Sequence, residues 1–443
     1  MMGARFVSSE WTARGRWIPA ALVALGVAAR FVALALHGVD TADAEAHNIA
    51  VDFARTGTIG NAFGHGTGPT AHLSPVMPVL AGSVYRLLGV DSMPAELLLT
   101  AISIAMAMAA ALLVYHAFGR LGMGRRSRLI ALAVFCLAPI DFKLEMIEFR
   151  IWEGTLAALL MSCSFWLVTY ADRENAADLK TIIVIALVSA AALFVNPAAG
   201  LTSYALALAL LVRRVPPQRW GRTAAICVAA LLLILGPWTV RNYMDFGRFI
   251  PLRSDAGLEL AIAYHPGLET SEDDRTVFRR RMVTIHPNEA PDAEAAIRAS
   301  GGEAQYADRL GKQALHWIAG HPWLAARATA RHLAEFYFPP RWLYDLYSPG
   351  SGAKTVKMGI AWAISLFGLA GAGTALARWR GQWLYAAIVA LVPAVPYMFV
   401  QPILRYRYIV YVPLLFLAVG AAAAAMRQLR KWYRTNGTDV RFA

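Results

Sequence analysis

Charged residues are scarce in this chain of 443 residues: 16% of the residues are Asp, Glu, Lys or Arg, whereas 58% are hydrophobic. A soluble core of this size does not need so much apolar sequence, so the composition excludes a water-soluble globular protein and indicates a polytopic membrane protein. Cysteine is also scarce. Cys136, Cys163 and Cys227 all lie in apolar runs, which argues against a disulfide framework and against a zinc site built on cysteine.

Acidic residues are fewer than basic ones, 29 against 42, and the formal net charge is +13. This excess does not indicate a nucleic-acid partner, because the basic residues cluster beside hydrophobic segments, where they orient helices and contact anionic membrane lipids. We expect no cleavable signal peptide, since the first apolar stretch, Trp17 to His37, is about 20 residues long and therefore of spanning length.

The pattern of apolar runs predicts an all-α polytopic membrane protein with about ten transmembrane helices. Leu73–Val90 is of similar length but contains two prolines and Arg86. If it crossed, the Arg120–Arg128 cluster would face away from the other basic loops, so the positive-inside rule predicts that it does not cross and that both termini are cytoplasmic. The expected spans are 17–37, 94–118, 128–144, 151–170, 180–195, 198–213, 222–240, 357–378, 383–403 and 407–426.

This topology predicts three parts. Residues 1–240 form a membrane module with two outer loops that hold acidic residues, 38–93 and 141–153. Residues 241–356 have a soluble composition and form a mainly helical extracytoplasmic domain. Residues 357–443 return to the membrane and end in a basic cytoplasmic tail.

The first outer loop, GVDTADAEAHNIAVDFARTG, is the most informative stretch. Read as a helix, it places Asp43 and His47 on one face and apolar residues on the neighbouring face, which predicts an amphipathic helix lying along the membrane. Asp43 leads this helix and is the strongest functional candidate. Asp40 and Glu45 are either supporting residues or simply solvated.

Four arginines are candidates for binding an anion, because guanidinium groups bind phosphate bidentately. Arg30 lies inside the first apolar segment, where a charge costs at least ~2.5–3.5 kcal/mol on insertion scales. Arg241 lies at the predicted outer end of a spanning helix, and Arg405 and Arg407 flank the outer start of the last one. The alternatives are that Arg30 extends to the membrane surface and that the other three only anchor lipid headgroups.

Other outer residues are weaker candidates. His47 and His72 share the first loop with the acids, but their spacing has no metal signature. The second loop carries Asp141, Glu145, Glu148 and Glu153. Tyr344, with its neighbours Trp342 and Tyr347, could stack on a sugar ring, although an interfacial aromatic belt is the simpler interpretation.

Several motifs in order resemble the GT-C class of integral membrane glycosyltransferases, in particular the branch of protein O-mannosyltransferases and bacterial lipid A aminoarabinose transferases. These motifs are DAEAHNIAVDFARTG, PTAHLSPVMPVLAGSVYRLLG, FRIWEGTL, GPWTVRNYMDFGRFIPLRSDAG and LRYRYIVYVPLLFLAVGA. Residues 268–334 of the outer domain match no motif of this class. One departure is clear: His47 stands where the family pattern has tyrosine.

The resemblance implies an inverting transfer of a sugar from a polyprenyl-phosphate donor. It places the family's essential aspartate on Asp43, our expected general base, and its second acidic residue on Glu153, with Glu148 and Glu145 close enough to compete. Asp43 and Glu153 are also the residues that would hold a divalent cation, which some relatives bind. Arg30, Arg241, Arg405 and Arg407 become the expected phosphate binders. The sugar and the acceptor, whether protein, lipid or glycan, stay open.

Two other classes compete with this interpretation. A transporter or flippase for a lipid-linked or small polar substrate would favour inverted repeats, and the sequence contains no repeat. An O-antigen ligase or polymerase also uses outer arginines but does not need an acidic loop after the first helix. The Ala-, Gly- and Arg-rich composition favours a bacterial source, so we expect the plasma (inner) membrane, with the active site facing outward.

Overall fold

The computed structural model describes residues 13–38, 45–270, 272–347, 352–378 and 381–436. Helices make up 79% of it, and within these ranges there is no β-strand, only an isolated bridge between Gly60 and Pro69. Short 3₁₀ helices cover Glu148–Arg150, Pro217–Arg219, Pro266–Glu269 and Leu404–Arg407. The α-helices are α1 Ala13–His37, α2 Glu45–Thr56, α3 Val76–Leu88, α4 Met93–Arg120, α5 Arg125–Leu137, α6 Phe142–Met146, α7 Gly154–Arg173, α8 Leu179–Val195, α9 Pro197–Arg214, α10 Trp220–Phe246, α11 Ala256–Ala263, α12 Asp274–Ile285, α13 Ala293–Ala299, α14 Glu303–Gly320, α15 Pro322–Tyr337, α16 Arg341–Tyr347, α17 Lys354–Ala377, α18 Leu384–Leu391, α19 Ala394–Tyr397 and α20 Tyr408–Asn436.

The chain is a multi-pass membrane protein. Among the described residues, six helices are long and apolar enough to cross a bilayer. Three further apolar helices are shorter, and the expected total of ten spans stays a prediction. The six candidate spans are Trp17–Leu36, Met93–Arg120, Gly154–Arg173, Pro217–Phe246, Lys354–Ala377 and Leu404–Tyr433.

Two predicted spans are interrupted rather than continuous. The predicted span 128–144 divides where α5 ends at Leu137, two residues before Pro139. The predicted span 383–403 divides into α18 and α19, with Pro393 between them. Proline lacks a backbone N–H and clashes with the preceding turn, so a helix tends to end or kink there. Hydropathy does not register this effect.

The first outer loop folds as a pair of packed helices. α2 confirms the amphipathic helix predicted there, and α3, with 13 residues, reaches only about 20 Å, short of a bilayer's apolar thickness. The two helices pack against each other. A Cβ atom on Gly82 would lie 2.5 Å from the Ala50 carbonyl oxygen, so glycine is what permits this close approach.

The outer segment does not fold apart from the first loop. One hydrophobic core contains Ile49 of α2 and Leu99 of α4 together with Leu258 of α11, Ile297 of α13 and Leu310 of α14. The membrane helices share a second core, in which α4 packs on α7 and α20 packs on α17. The packing thus joins the outer segment to residues 46–110. The domain boundaries at 240 and 356 stay a prediction.

Candidate active site

A cavity lies where the first outer loop, the segment before α7, the segment around α11 and the segment before α20 meet. Four carboxylates and two arginines line it, so we call it the acidic cavity. Its ionisable lining residues, apart from two tyrosines, are Glu45, His72, Glu153, Arg253, Asp255, Glu259, His286 and Arg405.

Glu153 reaches the cavity because of a tight turn before α7. Gly154 is the first residue of α7, and a Cβ atom at this position would lie 2.1 Å from the ring of Phe149. The Phe149 ring is buried and packs on Tyr408, 4.8 Å away between ring centroids. Only glycine fits beneath this ring, so the local sequence FRIWEG fixes where Glu153 lies.

Glu153 forms an ion pair with Arg253. The guanidinium of Arg253 donates to Glu153 Oε1 at 2.5 Å and to the Val195 carbonyl oxygen at 2.7 Å. Burial alone would raise the pKa of Glu153, but the charge of Arg253 and this hydrogen bond outweigh it, so the pKa lies below its usual range. Glu153 is therefore ionised at neutral pH.

Asp255 and Glu259 add two carboxylates to the lining of the cavity. Asp255 immediately precedes α11, and Glu259 lies in its first turn. Burial raises the pKa of Asp255 to about 7, and Arg253 only partly offsets this. Burial also raises the pKa of Glu259, which accepts a hydrogen bond from the Tyr406 hydroxyl at 3.4 Å. Asp255 is therefore poised to exchange a proton near neutral pH.

Two histidines face the cavity from different elements. His72 is buried, its ring contacts Phe63, and burial lowers its pKa to about 4, so the imidazole is neutral at pH 7. His286 Nε2 lies 3.4 Å from Glu45 Oε1. Glu45 itself is buried at the start of α2. Of the supporting residues predicted in the first loop, Glu45 and His72 thus line the cavity.

Glu303 of α14 ties these segments together. Its carboxylate accepts hydrogen bonds from the Thr70 hydroxyl and the Ala71 N–H, both at 2.6 Å, and from the Ser254 hydroxyl at 2.8 Å. The Ser254 N–H also donates to the Ala71 carbonyl oxygen. The loop that carries His72 and the segment that carries Arg253 and Asp255 are consequently held to each other.

Arg241, a predicted phosphate binder, contacts the backbone of the loop that carries His72. Its guanidinium donates to the carbonyl oxygens of Thr70 at 2.7 Å and Ile59 at 2.6 Å and forms an ion pair with Asp245. Arg241 does not line the acidic cavity. The structure places it as an anchor of residues 59–70.

Arg405 and an aromatic wall complete the cavity. The guanidinium of Arg405 lies 3.9 Å from the centroid of the Trp152 ring. The rings of Tyr397 and Tyr406 stack at 4.7 Å, and Phe336 stacks behind Tyr397 at 5.4 Å. The aromatic surface that lines this cavity is therefore Tyr397 and Tyr406, and Tyr344, the weaker stacking candidate from the sequence, does not line it.

Arg30 is committed to a buried network. It forms an ion pair with Glu145, donates to the Cys136 carbonyl oxygen at 2.9 Å and lies over the ring of Phe142. Glu145 also accepts a hydrogen bond from the Tyr408 hydroxyl at 2.7 Å. Both charged side chains are 1% exposed. Arg30 does not extend to the surface, and it does not line the acidic cavity.

Three other predicted residues line a different cavity: Glu148, Tyr344 and Arg407. We call it the Arg407 cavity. His47 lines neither cavity and pairs with Asp91 at 2.7 Å. Asp40 and Asp43 lie outside the described residues.

A comparison with solved structures identifies the fold of this chain. A structure of the archaeal oligosaccharyltransferase AglB from Archaeoglobus fulgidus, in complex with an inhibitory peptide and a dolichol-phosphate, superposes on 97% of this chain with a TM-score of 0.51 and 11% sequence identity. AglB is a GT-C glycosyltransferase. The chain has the GT-C fold. It spans about half of the AglB chain, 53%, so the likeness is one of fold.

Two further superpositions have TM-scores under 0.5. A second structure of the A. fulgidus oligosaccharyltransferase, tethered to an acceptor peptide, has a TM-score of 0.47 and 12% identity over 96% of this chain and 52% of that one. ArnT from Cupriavidus metallidurans bound to undecaprenyl phosphate has a TM-score of 0.38 and 16% identity over 96% of this chain and 81% of that one. No protein-family model matches the sequence, and no curated protein matches it significantly.

Four residues that line the acidic cavity are not among the candidates predicted from the sequence: Arg253, Asp255, Glu259 and His286. The first three fall within seven positions of one another, and two belong to the motif GPWTVRNYMDFGRFIPLRSDAG that already carries the resemblance. This cluster of charges near the end of a spanning helix could have identified these three residues from the sequence. His286 has no signal, because only the packing of α12 brings it to Glu45.

A divalent cation fits the described residues poorly. Glu153, one of its two predicted ligands, is bound to Arg253 through Oε1, and the described ranges contain no group of three His, Cys, Asp or Glu side chains that could hold a metal ion. Asp43, the other predicted ligand, lies outside those ranges. We therefore derive no step through a metal.

Proposed function

We propose that this chain is an inverting glycosyltransferase that moves a sugar from a polyprenyl-phosphate donor to an acceptor at the acidic cavity. The observation that carries the proposal is the meeting of Arg253 and Arg405 with four carboxylates in one cavity at the ends of spanning helices. The dolichol-phosphate named in the AglB complex, itself a polyprenyl phosphate, supports this class of donor. We place the reaction on the extracytoplasmic face of a bacterial plasma membrane.

Arg405 is the proposed main phosphate ligand. When the bond between the anomeric carbon and the phosphate oxygen breaks, the leaving polyprenyl phosphate gains negative charge, and a preorganised guanidinium stabilises that charge. Arg253 adds a second positive charge, which its ion pair with Glu153 holds in place. Glu153 thereby acts as a positioning residue in this proposal.

The acceptor requires a base on the face of the sugar opposite the phosphate. Its hydroxyl or amine attacks the anomeric carbon, the bond to phosphate oxygen breaks, and the acceptor proton passes to a carboxylate. Asp43 remains the proposed base. Glu45, two positions after Asp43 in the sequence, lines the cavity, which supports this choice.

Two tyrosines that the sequence did not single out have a supporting role in the proposal. Tyr397 and Tyr406 offer the flat aromatic surface on which a sugar ring can stack. Arg30 and Arg241 have buried or backbone partners, and their predicted binding of phosphate gains no support from these contacts. The sugar and the acceptor are open.

A panel of radiolabelled polyprenyl-phosphate sugars, incubated with purified full-length protein in detergent with and without a chelator, tests the proposal. We expect slow hydrolysis or transfer with one donor, and at least a hundredfold loss in Asp43→Asn. Glu294→Gln, which removes a half-exposed outer carboxylate, is the matched control and should retain full activity. A folded wild-type protein that neither binds nor cleaves any donor would overturn the proposal.

A further inference from the structure

The Arg407 cavity is separate from the acidic cavity. Its polar lining consists of Asp141, Lys143, Glu148, Tyr344, Lys357 and Arg407, and no described residue lines both cavities. The 3₁₀ helix Leu404–Arg407 lies between them, with Arg405 facing one cavity and Arg407 the other. The proposed sugar transfer makes no use of this second cavity.

Arg407 is buried, and among the described residues no carboxylate forms an ion pair with it. Its side chain is 7% exposed, and one terminal nitrogen donates to the Ala361 carbonyl oxygen at 2.8 Å and to the Ser365 hydroxyl at 3.0 Å. Within the described residues, its Nε atom has no hydrogen-bond partner and no carboxylate lies within 4.0 Å of the guanidinium. A buried guanidinium in this state is costly unless an anion neutralises it.

The other charges favour an anion as well. Lys143 and Lys357 join Arg407, against Asp141 and Glu148. Burial raises the pKa of Asp141 to about 6, so its negative charge begins to disappear just below neutral pH. The cavity therefore has a positive balance at pH 7, and this balance grows as the pH falls.

The position of the cavity indicates where the anion comes from. Lys357 lies in the first turn of α17, and Arg407 directly precedes α20, so two spanning helices begin here. Ile140, Leu144 and Leu404 give the cavity apolar walls. A ligand with a charged head and an apolar chain suits both features.

We infer that the Arg407 cavity is a second anion-binding site, which takes a phosphate group carried on a lipid or free in solution. Arg407 donates to a phosphate oxygen through Nε, and Lys357 adds a second positive charge. The site does not depend on sugar transfer at the acidic cavity.

Saturation binding of radiolabelled farnesyl phosphate to the full-length protein in dodecyl maltoside tests the inference. We expect Arg407→Gln to weaken one class of sites at least tenfold, and Lys357→Gln, whose side chain makes no hydrogen bond within the described residues, to weaken the same class. Arg341→Gln, which removes an exposed charge from α16, is the control and should bind like wild type. Size-exclusion profiles establish that each variant is folded.

Arg405→Gln separates this inference from the proposed function. If wild type shows two classes of binding sites, and Arg405→Gln removes one while Arg407→Gln removes the other, the result supports both the proposed function and the second site. One class that only Arg407→Gln removes supports the second site and counts against phosphate binding at the acidic cavity. Unchanged binding in both Arg407→Gln and Lys357→Gln, or loss of the same single class in Arg405→Gln and Arg407→Gln, overturns the inference.

Competition assigns the source of the phosphate. If dioleoyl phosphatidic acid displaces farnesyl phosphate from the sites that depend on Arg407 and inorganic phosphate does not, the phosphate belongs to a lipid headgroup. Equal displacement by inorganic phosphate identifies free phosphate. Both outcomes support an anion site, whereas displacement by neither compound contradicts it.

Discussion

Arg405 and Arg407 are two residues apart, yet they line different cavities. The reason is the 3₁₀ turn Leu404–Arg407: with three residues per turn, side chains two positions apart are rotated by about 240°. The sequence places both arginines at one membrane end and therefore predicts a single phosphate site. Which cavity each arginine lines depends on the surrounding tertiary packing, which the local sequence does not specify.

Asp255 gives the acidic cavity a pH-dependent charge. Its pKa of about 7 means that it is ionised above pH 7 and protonated below. A sugar phosphodiester keeps one negative charge at any pH near 7. Its binding should therefore strengthen as the pH falls and Asp255 loses its negative charge. A unit charge about 7 Å away is worth ~0.6 kcal/mol even in water and more in a cavity, which corresponds to about threefold or more.

We therefore expect donor affinity, measured by equilibrium binding, to be three- to tenfold tighter at pH 6 than at pH 8. In Asp255→Asn most of this dependence should vanish. Glu294→Gln should behave like wild type. An Asp255→Asn protein with the full wild-type dependence would rule out this role for Asp255.

The Arg30–Glu145 pair makes a different prediction. Arg30→Met leaves the Glu145 carboxylate buried beside the Tyr408 hydroxyl alone, and breaking a buried pair typically costs about 3–5 kcal/mol. We expect a clear drop in thermal midpoint in detergent. Arg30→Met combined with Glu145→Leu removes both charges and should recover most of it. A double variant no more stable than Arg30→Met would contradict this account.

At the scale of elements, the sequence predicts most helices and misses their interruptions. The amphipathic α2 follows from residue spacing, and the short α3 from charge asymmetry among the loops. The breaks near Pro139 and Pro393 depend on where a proline falls within an apolar run. Contacts distant in sequence, such as Glu303 with Ala71, have no local signal at all.

The packing of α2 on α3 can be tested at Gly82. Alanine there would meet the Ala50 carbonyl oxygen at 2.5 Å and the Phe53 ring at 2.9 Å, and backbone cannot give way cheaply. Overpacking of this kind costs about 1–3 kcal/mol. We expect Gly82→Ala to lower the thermal midpoint and to speed proteolysis of residues 57–70. Gly373→Ala, with no atom within 4 Å of the new Cβ, is the control, and equal effects of the two substitutions would refute the packing argument.

At the scale of the whole molecule, two hydrophobic cores meet at the acidic cavity. One core belongs to the membrane helices, and the other joins the first loop to the outer segment. The sequence predicts the membrane part because apolar runs and positive charges are strong signals. The outer segment supplies Arg253, Asp255, Glu259 and His286, and their convergence on Glu45 and Glu153 depends on tertiary packing that no spacing rule gives.

The predicted orientation follows from the positive-inside rule. In a cysteine-free background, we expect Asp292→Cys to react with a membrane-impermeant maleimide in intact cells. Gln218→Cys, which leaves the basic residues around it unchanged, should react only after the membrane is permeabilised. The reverse labelling pattern would invert the topology and move the acidic cavity to the cytoplasmic side.

Photo-crosslinking tests most directly whether the acidic cavity holds a lipid-linked sugar. A polyprenyl-phosphate sugar with a diazirine on the sugar would be bound to the full-length protein, irradiated and mapped by mass spectrometry. The account predicts labels in residues 149–157, 253–259 and 397–409, which unlabelled donor competes away and which Arg405→Gln loses. Labels confined to the lipid-facing surface of α10, or labels that no donor displaces, would contradict it.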